Sequence, residues 1–320
     1  MKKAIKKWVR TLGPMVLGLF LIWFSLSKFS SEELGQLWFN IRNVDITWVA
    51  LSFVMGIASH LSRAYRWRFL LEPVQIFPKF YNCFLSLMLG YLANLGIPRS
   101  GEVLRGATLA SYEDVKFEKT FGTIITERLV DLIMLLSIVG IASLSQSDKI
   151  FGFFKDQNIN PFFGGIIIVS MILMLVIGFR IIKNSGNTLI QKVKSFIEEL
   201  FKGMKSVFSM KKKKQFLLHT FFIWGLYLGM FYVLKFAFPD TQDLGLQATL
   251  VAFIFGAFAM SITNGGIGLY PIAIGIAFNT FGVSNATGEA FGWVMWGTQT
   301  ALVIVLGGLS FIILPLLNRR

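Results

Sequence analysis

The chain is poor in the residues that build soluble catalytic sites. It has one cysteine, Cys83, which excludes a disulfide framework and a cysteine-based metal cage. Its two histidines, His60 and His219, exclude a histidine-rich metal site. No G-x-x-x-x-G-K-[ST] phosphate loop occurs, so nothing points to nucleotide hydrolysis, and no cofactor is expected. Charge is scarce as well. Only 15% of the 320 residues are charged while 54% are hydrophobic, a balance that excludes a water-soluble globule. What remains suits a chain dissolved in lipid. Thirty-three phenylalanines and eight tryptophans accompany long apolar runs, and the length allows roughly six to nine crossings at about 20 apolar residues each. No room is left for a large soluble domain. The net charge of +14 fits cytoplasmic loops better than a nucleic-acid surface, and no nucleic-acid partner is expected.

Apolar stretches cover 8–28, 46–71, 118–144, 162–182, 215–238 and 287–316, and two more, 80–111 and 247–281, are broken by glycine and proline near their middles. All are predicted helical, because an open strand in lipid leaves backbone groups unpaired. The lysine-rich start (Lys2, Lys3, Lys6, Lys7, Arg10) runs into an apolar segment with no small-residue cleavage site, which predicts an uncleaved first span with the N-terminus inside. Segment 180–214 holds Arg180 and nine lysines against Glu198 and Glu199, a net of +8, and belongs on the cytoplasmic side; 29–45 and 239–246 each net −2 and belong outside. These assignments close only if 80–111 enters and leaves from the cytoplasm and 247–281 enters and leaves from outside. The expected fold is therefore an all-α polytopic membrane protein of about six transmembrane helices plus two re-entrant helical hairpins, with both termini cytoplasmic. Halves 1–145 and 160–320 form an inverted repeat within one domain, 1–320. Leu189, Val193, Phe196, Ile197, Leu200, Met204, Val207 and Phe208 recur at helical spacing among lysines, so 183–214 is predicted to be a basic amphipathic connector on the inner leaflet.

Ionisable residues inside apolar segments are costly unless paired or facing water. The first hairpin carries Asn94, then Arg99, Ser100, Gly101, Glu102 and Arg105, with Gly96 and Pro98 breaking the helix and Ser100 placed to cap the restart. Glu102 and Arg105 are expected on one face, three residues apart, and the half-helix N-terminus suits a phosphate or carboxylate. Glu127, Arg128 and Asp131 lie in the next span, Arg63 and Arg66 in the preceding one. Arg63 and Arg66 either reach the headgroups or turn inward; Glu127 and Asp131 either neutralise Arg99 and Arg105 or serve a ligand. Five cations against three anions leave two cations without protein partners, which predicts an anionic ligand, and in a bilayer that is a lipid headgroup. The second hairpin turns through Asn264, Gly265, Gly266, Ile267 and Gly268. Its glycines permit close approach of either a ligand or a neighbouring helix.

These two hairpins, with Glu127-Arg128 and Asp131 between them, resemble the lysylphosphatidylglycerol synthase transmembrane (flippase-like) family, the membrane region of the bacterial multiple peptide resistance factor. The resemblance covers nearly the whole chain. It implies a bacterial inner-membrane protein that moves anionic or aminoacylated phospholipids, or polyprenyl-linked lipids, between leaflets. A homo-oligomer is compatible with it. It also implies no enzyme activity, because the family's soluble aminoacyl-transfer domain has no counterpart before Arg320. Many members carry glutamate three residues after the last turn glycine, where this chain has Pro271, so no role for that carboxylate carries over. Two other functions fit the same residues: an intramembrane lipid-modifying enzyme using Glu102 with Glu127 or Asp131, and a membrane scaffold docking a partner on its basic surface.

Overall fold

The computed structural model describes residues 19–97, 99–145 and 210–318, and every regular element among them is helical. The start of the first predicted span, the span at 162–182 and the amphipathic connector up to residue 209 lie outside the described residues. In chain order the helices are α1 (Leu19–Lys28), α2 (Ser31–Arg42), α3 (Ile46–Leu71), α4 (Phe80–Gly96), α5 (Gly101–Tyr112), α6 (Phe117–Ser145), α7 (Lys213–Leu234), α8 (Leu246–Ile262), α9 (Leu269–Asn279) and α10 (Asn285–Leu317). From α3 to α10 their boundaries fall close to the predicted segments.

α2 was not expected. Ser30 and Glu33 form a reciprocal capping box: the Glu33 N–H donates to Ser30 Oγ at 3.2 Å and the Ser30 N–H donates to Glu33 Oε2 at 2.8 Å. The helix buries Leu37, exposes Trp38 and Phe39, and meets α3 at a 69° bend. Such exposed aromatics suit a membrane–water interface.

Among the described residues two helices are long and apolar enough to cross a membrane, Lys213–Ala237 and Asn285–Leu317, or three if the bent α2–α3 pair counts as one span. α6, at 29 residues, is long enough but carries Glu118, Lys119, Glu127, Arg128 and Asp131. Of the six expected crossings, 162–182 and the start of 8–28 lie outside the described residues.

Two helix pairs fold back on themselves. In α4–α5, Gly90 lies opposite Gly101 and Arg105; in α8–α9, Gly256 lies opposite Tyr270 and Ile274. The pairs open at opposite ends of the bundle. One end gathers Glu113, which accepts from the Lys79 N–H and from Asn82 Nδ2, the Asn82–Asn318 amide pair and the Glu72–Lys212 ion pair at 3.1 Å. The other gathers the Asp45 N–H on the Ala237 carbonyl, with Asn40, Thr287 and Asp240 joined through the Thr287 hydroxyl. Between these ends the two tips touch: a Cβ built on Gly265 would sit 3.0 Å from Leu95 Cδ2. Each hairpin has its own hydrophobic core, one around Trp67, Leu70, Cys83, Met88 and Ile124, the other around Phe231, Phe253, Tyr270, Phe278 and Phe291.

Glycine is required where the arms of the first hairpin cross. A Cβ on Gly101 would collide with the Gly90 carbonyl oxygen and the Asn94 amide. Gly101→Ala is therefore expected to destabilise the fold by about 1–3 kcal/mol, as overpacking does, read as a lower thermal midpoint in detergent.

Candidate functional site

The first hairpin docks against α3 and α6 through charge. Arg63 and Arg66 are one helical turn apart on α3 and face Glu127 and Asp131, one turn apart on α6. Arg63 Nη1 lies 3.1 Å from Glu127 Oε1 and 3.0 Å from Asp131 Oδ2; Arg66 Nη2 lies 3.3 Å from Glu127 Oε1 and 2.9 Å from Asp131 Oδ1. Arg105 of α5 completes the cluster, donating from Nη2 to Glu127 Oε2 at 2.9 Å. Arg66 and Glu127 are fully buried at 0% exposure, and Arg63, Arg105 and Asp131 nearly so. Three guanidinium groups share two carboxylates, so the buried set carries one formal positive charge.

Neighbouring side chains fix the geometry. The Arg105 guanidinium carbon stacks 3.8 Å from the Trp67 ring centroid, a cation–π contact that strengthens when desolvated. Trp67 Nε1 in turn donates to Thr123 Oγ1 at 2.8 Å. Arg66 Nη1 donates to Thr220 Oγ1 at 3.1 Å, which ties the cluster to α7. Further out, Arg128 pairs with Glu102 at 3.0 Å, half-buried.

The cluster does not satisfy itself. Nε of Arg63, Arg66, Arg105 and Arg128, and Nη1 of Arg105, are buried without a hydrogen-bond partner, as are His60 Nδ1 and Gln299 Nε2. Asp131 Oδ2 stands close to Arg63 Nη1 yet is not aligned for a hydrogen bond. Buried polar groups are normally paired, and guanidinium nitrogens only donate. The deficit here is one of acceptors.

Several sequence expectations need correction. Arg99 does not join the cluster: it is exposed at the hairpin tip, in left-handed backbone with φ 58°. Glu102 and Arg105 do not act together, because Arg105 turns inward to Glu127 and Glu102 outward to Arg128. Glu127 and Asp131 neutralise Arg63 and Arg66 as well as Arg105, so the buried excess is one cation rather than two. Arg63 and Arg66 turn inward and do not reach for headgroups. Ser100 does not cap α5. Its hydroxyl donates back to the Ala93 and Ile97 carbonyls, and Asn94 Oδ1 caps instead, accepting the Gly101 N–H at 2.7 Å.

At the second hairpin Gly265, Gly266 and Gly268 all adopt positive φ, at 63°, 80° and 73°, the conformation that favours glycine. The Gly265 carbonyl accepts from Trp296 Nε1 at 2.7 Å, and a Cβ on Gly266 would lie 2.7 Å from Met260 Sδ. These contacts account for the glycines by chain reversal and close packing. The side chain of Asn264 lies outside the described residues. Pro271 packs against α10, where a Cβ on Gly292 would meet its Cα at 2.5 Å.

Sequence reasoning passed over Trp67, Thr220 and Trp296. Trp67 had a local signal, since it stands between Arg66 and Arg68, but Thr220 and Trp296 reach the site only through folding.

Comparison with known proteins follows the same outline. The family described as "Lysylphosphatidylglycerol synthase TM region" matches residues 11–307. A curated relative, "UPF0104 membrane protein MJ1595" of Methanocaldococcus jannaschii, is 27% identical over 97 residues, which is 29% of this chain and 29% of that protein. The match thus spans less than a third of the relative's own length. No solved structure matches.

Proposed function

The chain belongs to the lysylphosphatidylglycerol synthase TM region family, and from that premise we propose that it moves an anionic lipid headgroup between leaflets by way of the buried arginine cluster. The observation that carries this reading is the acceptor deficit: buried guanidinium donors lack partners on a set that already holds one positive charge. A phosphate offers oxygens of the right sign and number. Arg105 is the central contact, because it makes one bond to Glu127 and keeps two donor nitrogens free. Glu127 and Asp131 hold Arg63 and Arg66 in place, so the site keeps its shape with or without a guest.

In this reading both hairpins are re-entrant, the halves 1–145 and 160–320 form an inverted repeat, and the tips meet within the bilayer. The end carrying Lys79, Lys116, Lys119 and Lys211–Lys214 faces the cytoplasm, and the end carrying Glu32, Glu33, Asp45, Asp240 and Asp243 faces outward, as the distribution of basic residues supports. A buried, prepaid counter-charge lowers the barrier for a headgroup, since a lone charge at bilayer depth costs about 2.5–3.5 kcal/mol on translocon scales. The protein carries its lipid unchanged, without chemistry on it.

The test is transport in vesicles. The full chain is reconstituted with fluorescent phosphatidylglycerol or phosphatidylcholine, and a membrane-impermeant reductant bleaches the outer leaflet. The phosphatidylglycerol signal is expected to fall below the half left in empty vesicles, and faster than the phosphatidylcholine signal. Bleaching that stops at half for both lipids, or proceeds equally for both, would defeat the proposal. Because Arg99 is exposed and outside the cluster, Arg99→Ala is expected to slow this movement less than any change at Arg105.

A further inference from the structure

A second buried charge-bearing group lies at the opposite end of the bundle and plays no part in the cluster. Glu289, on the second turn of α10, is 6% exposed and Ser25 of α1 is 9% exposed. Ser25 Oγ stands 2.8 Å from Glu289 Oε1 and 2.9 Å from Oε2. The packing is tight: α9 approaches so closely that a Cβ on Gly275 would meet Glu289 Cγ at 2.8 Å, and Ala286 and Ala290 on the same helix are buried.

Among the described residues no cation compensates this carboxyl. α9 carries no charged residue, and Glu289 is the only one in α10. On the other packed elements the charged groups are engaged elsewhere or exposed. Lys28 of α1 lies over the Phe24 ring, and Glu33 of α2 caps its own helix. Glu32, Arg42 and Asp45 are exposed. Asp240 accepts from Thr287, Lys235 donates to the Leu244 carbonyl, and Arg63 and Arg66 belong to the cluster on α3. Among the described residues none forms an ion pair with Glu289.

The contact with Ser25 has a stoichiometric consequence. A hydroxyl has one hydrogen to give and two lone pairs to receive. With both carboxyl oxygens in reach, one contact uses the serine hydrogen, and the other is satisfied when the carboxyl supplies a hydrogen of its own. An ionised carboxylate can share the single serine hydrogen between its two oxygens, but it gives the hydroxyl no hydrogen in return and leaves a buried full charge without a cation among the described residues.

We propose that Glu289 is a proton-binding site: it carries its proton while α1 is docked on α10, and losing the proton releases α1. Docking then holds one proton that the undocked form gives up, so docking weakens as pH rises, by at most tenfold per pH unit. Glu289→Gln keeps the shape and a hydrogen to donate, and removes the pH response. The site is independent of the transport reading, since it concerns only the attachment of α1.

Two measurements on the purified full chain decide it. Infrared spectra at neutral pH are expected to contain a protonated-carboxyl stretch that is missing from Glu289→Gln and shifted in Ser25→Ala. Amide hydrogen exchange in α1, taken as the ratio of wild type to Glu289→Gln at each pH, is expected to stay near one under mildly acidic conditions and climb in alkali. A neutral-pH spectrum in which neither variant changes the band overturns the proposal, as does an exchange ratio that stays flat into alkali. Should Glu289→Gln not fold, Ser25→Ala stands in as the comparison, and an unshifted band in that variant overturns the proposal.

Discussion

Glu127→Leu is expected to be the most damaging single substitution in the chain. The carboxylate is shared by Arg63, Arg66 and Arg105, and it is fully buried. Its loss leaves three guanidinium groups with Asp131 alone and raises the formal charge of the set from one to two. Removing one partner of a buried ion pair costs about 3–5 kcal/mol because the other charge stays behind, and here three charges stay behind. The measurement is folded yield in mild detergent, with thermal unfolding of whatever material is recovered. Asp131→Asn is the comparison. Among the described residues Asp131 pairs with Arg63 and Arg66 and not with Arg105, and it retains slight exposure, so its loss is expected to cost less. A Glu127→Leu protein as stable as wild type would mean that the cluster is hydrated and its pairs contribute little.

Arg105→Lys is expected to separate folding from transport. Lysine keeps the charge and can still reach Glu127, so the fold survives with a stability loss of about 1–2 kcal/mol, the range of a lost charged hydrogen bond. What it lacks is the planar surface that stacks on Trp67 and the extra donors that Arg105 leaves unpaired. Movement of the anionic lipid in the vesicle assay is therefore expected to drop at least tenfold, on the order of one lost bidentate contact. Arg105→Lys moving lipid at the wild-type rate would show that the guanidinium geometry is not used.

Much of this architecture was legible before any coordinates. Gly96 with Pro98, and Gly265 with its neighbouring glycines, interrupt helices that hydropathy would otherwise run straight through, and the alternation of basic and acidic loops required both interruptions to turn back. The composition of the buried site was legible too, since Arg63, Arg66, Arg105, Glu127 and Asp131 are ionisable residues in apolar surroundings. Their pairing was not. Spacing along one helix says which residues share a face, but the partner of that face is chosen by packing between helices. Arg63 and Arg66 illustrate this: the same i, i+3 pair faces outward or inward depending on whether α6 brings its carboxylates alongside. Glu102 and Arg105 failed for a related reason, as a three-residue step turns a helix by about 300° and a tightly packed hairpin places two such positions in different environments. Glu289 did carry a local signal, as the lone charge in an apolar span, and was passed over; its partner Ser25, 264 residues away, left none.

The order of the cluster along the chain has a consequence for biosynthesis. Arg63 precedes Glu127 by 64 residues and Arg66 precedes Asp131 by 65. Ribosomes work from the N-terminus at about 5–20 residues per second, so two arginines wait on the order of several seconds before their carboxylates exist. Until then α3 carries two unpaired charges that are costly at bilayer depth, and they are expected to be paired only when the later helix arrives. Closure of the charge cluster therefore trails the synthesis of α3, by an interval set by the sequence distance between the charged pairs.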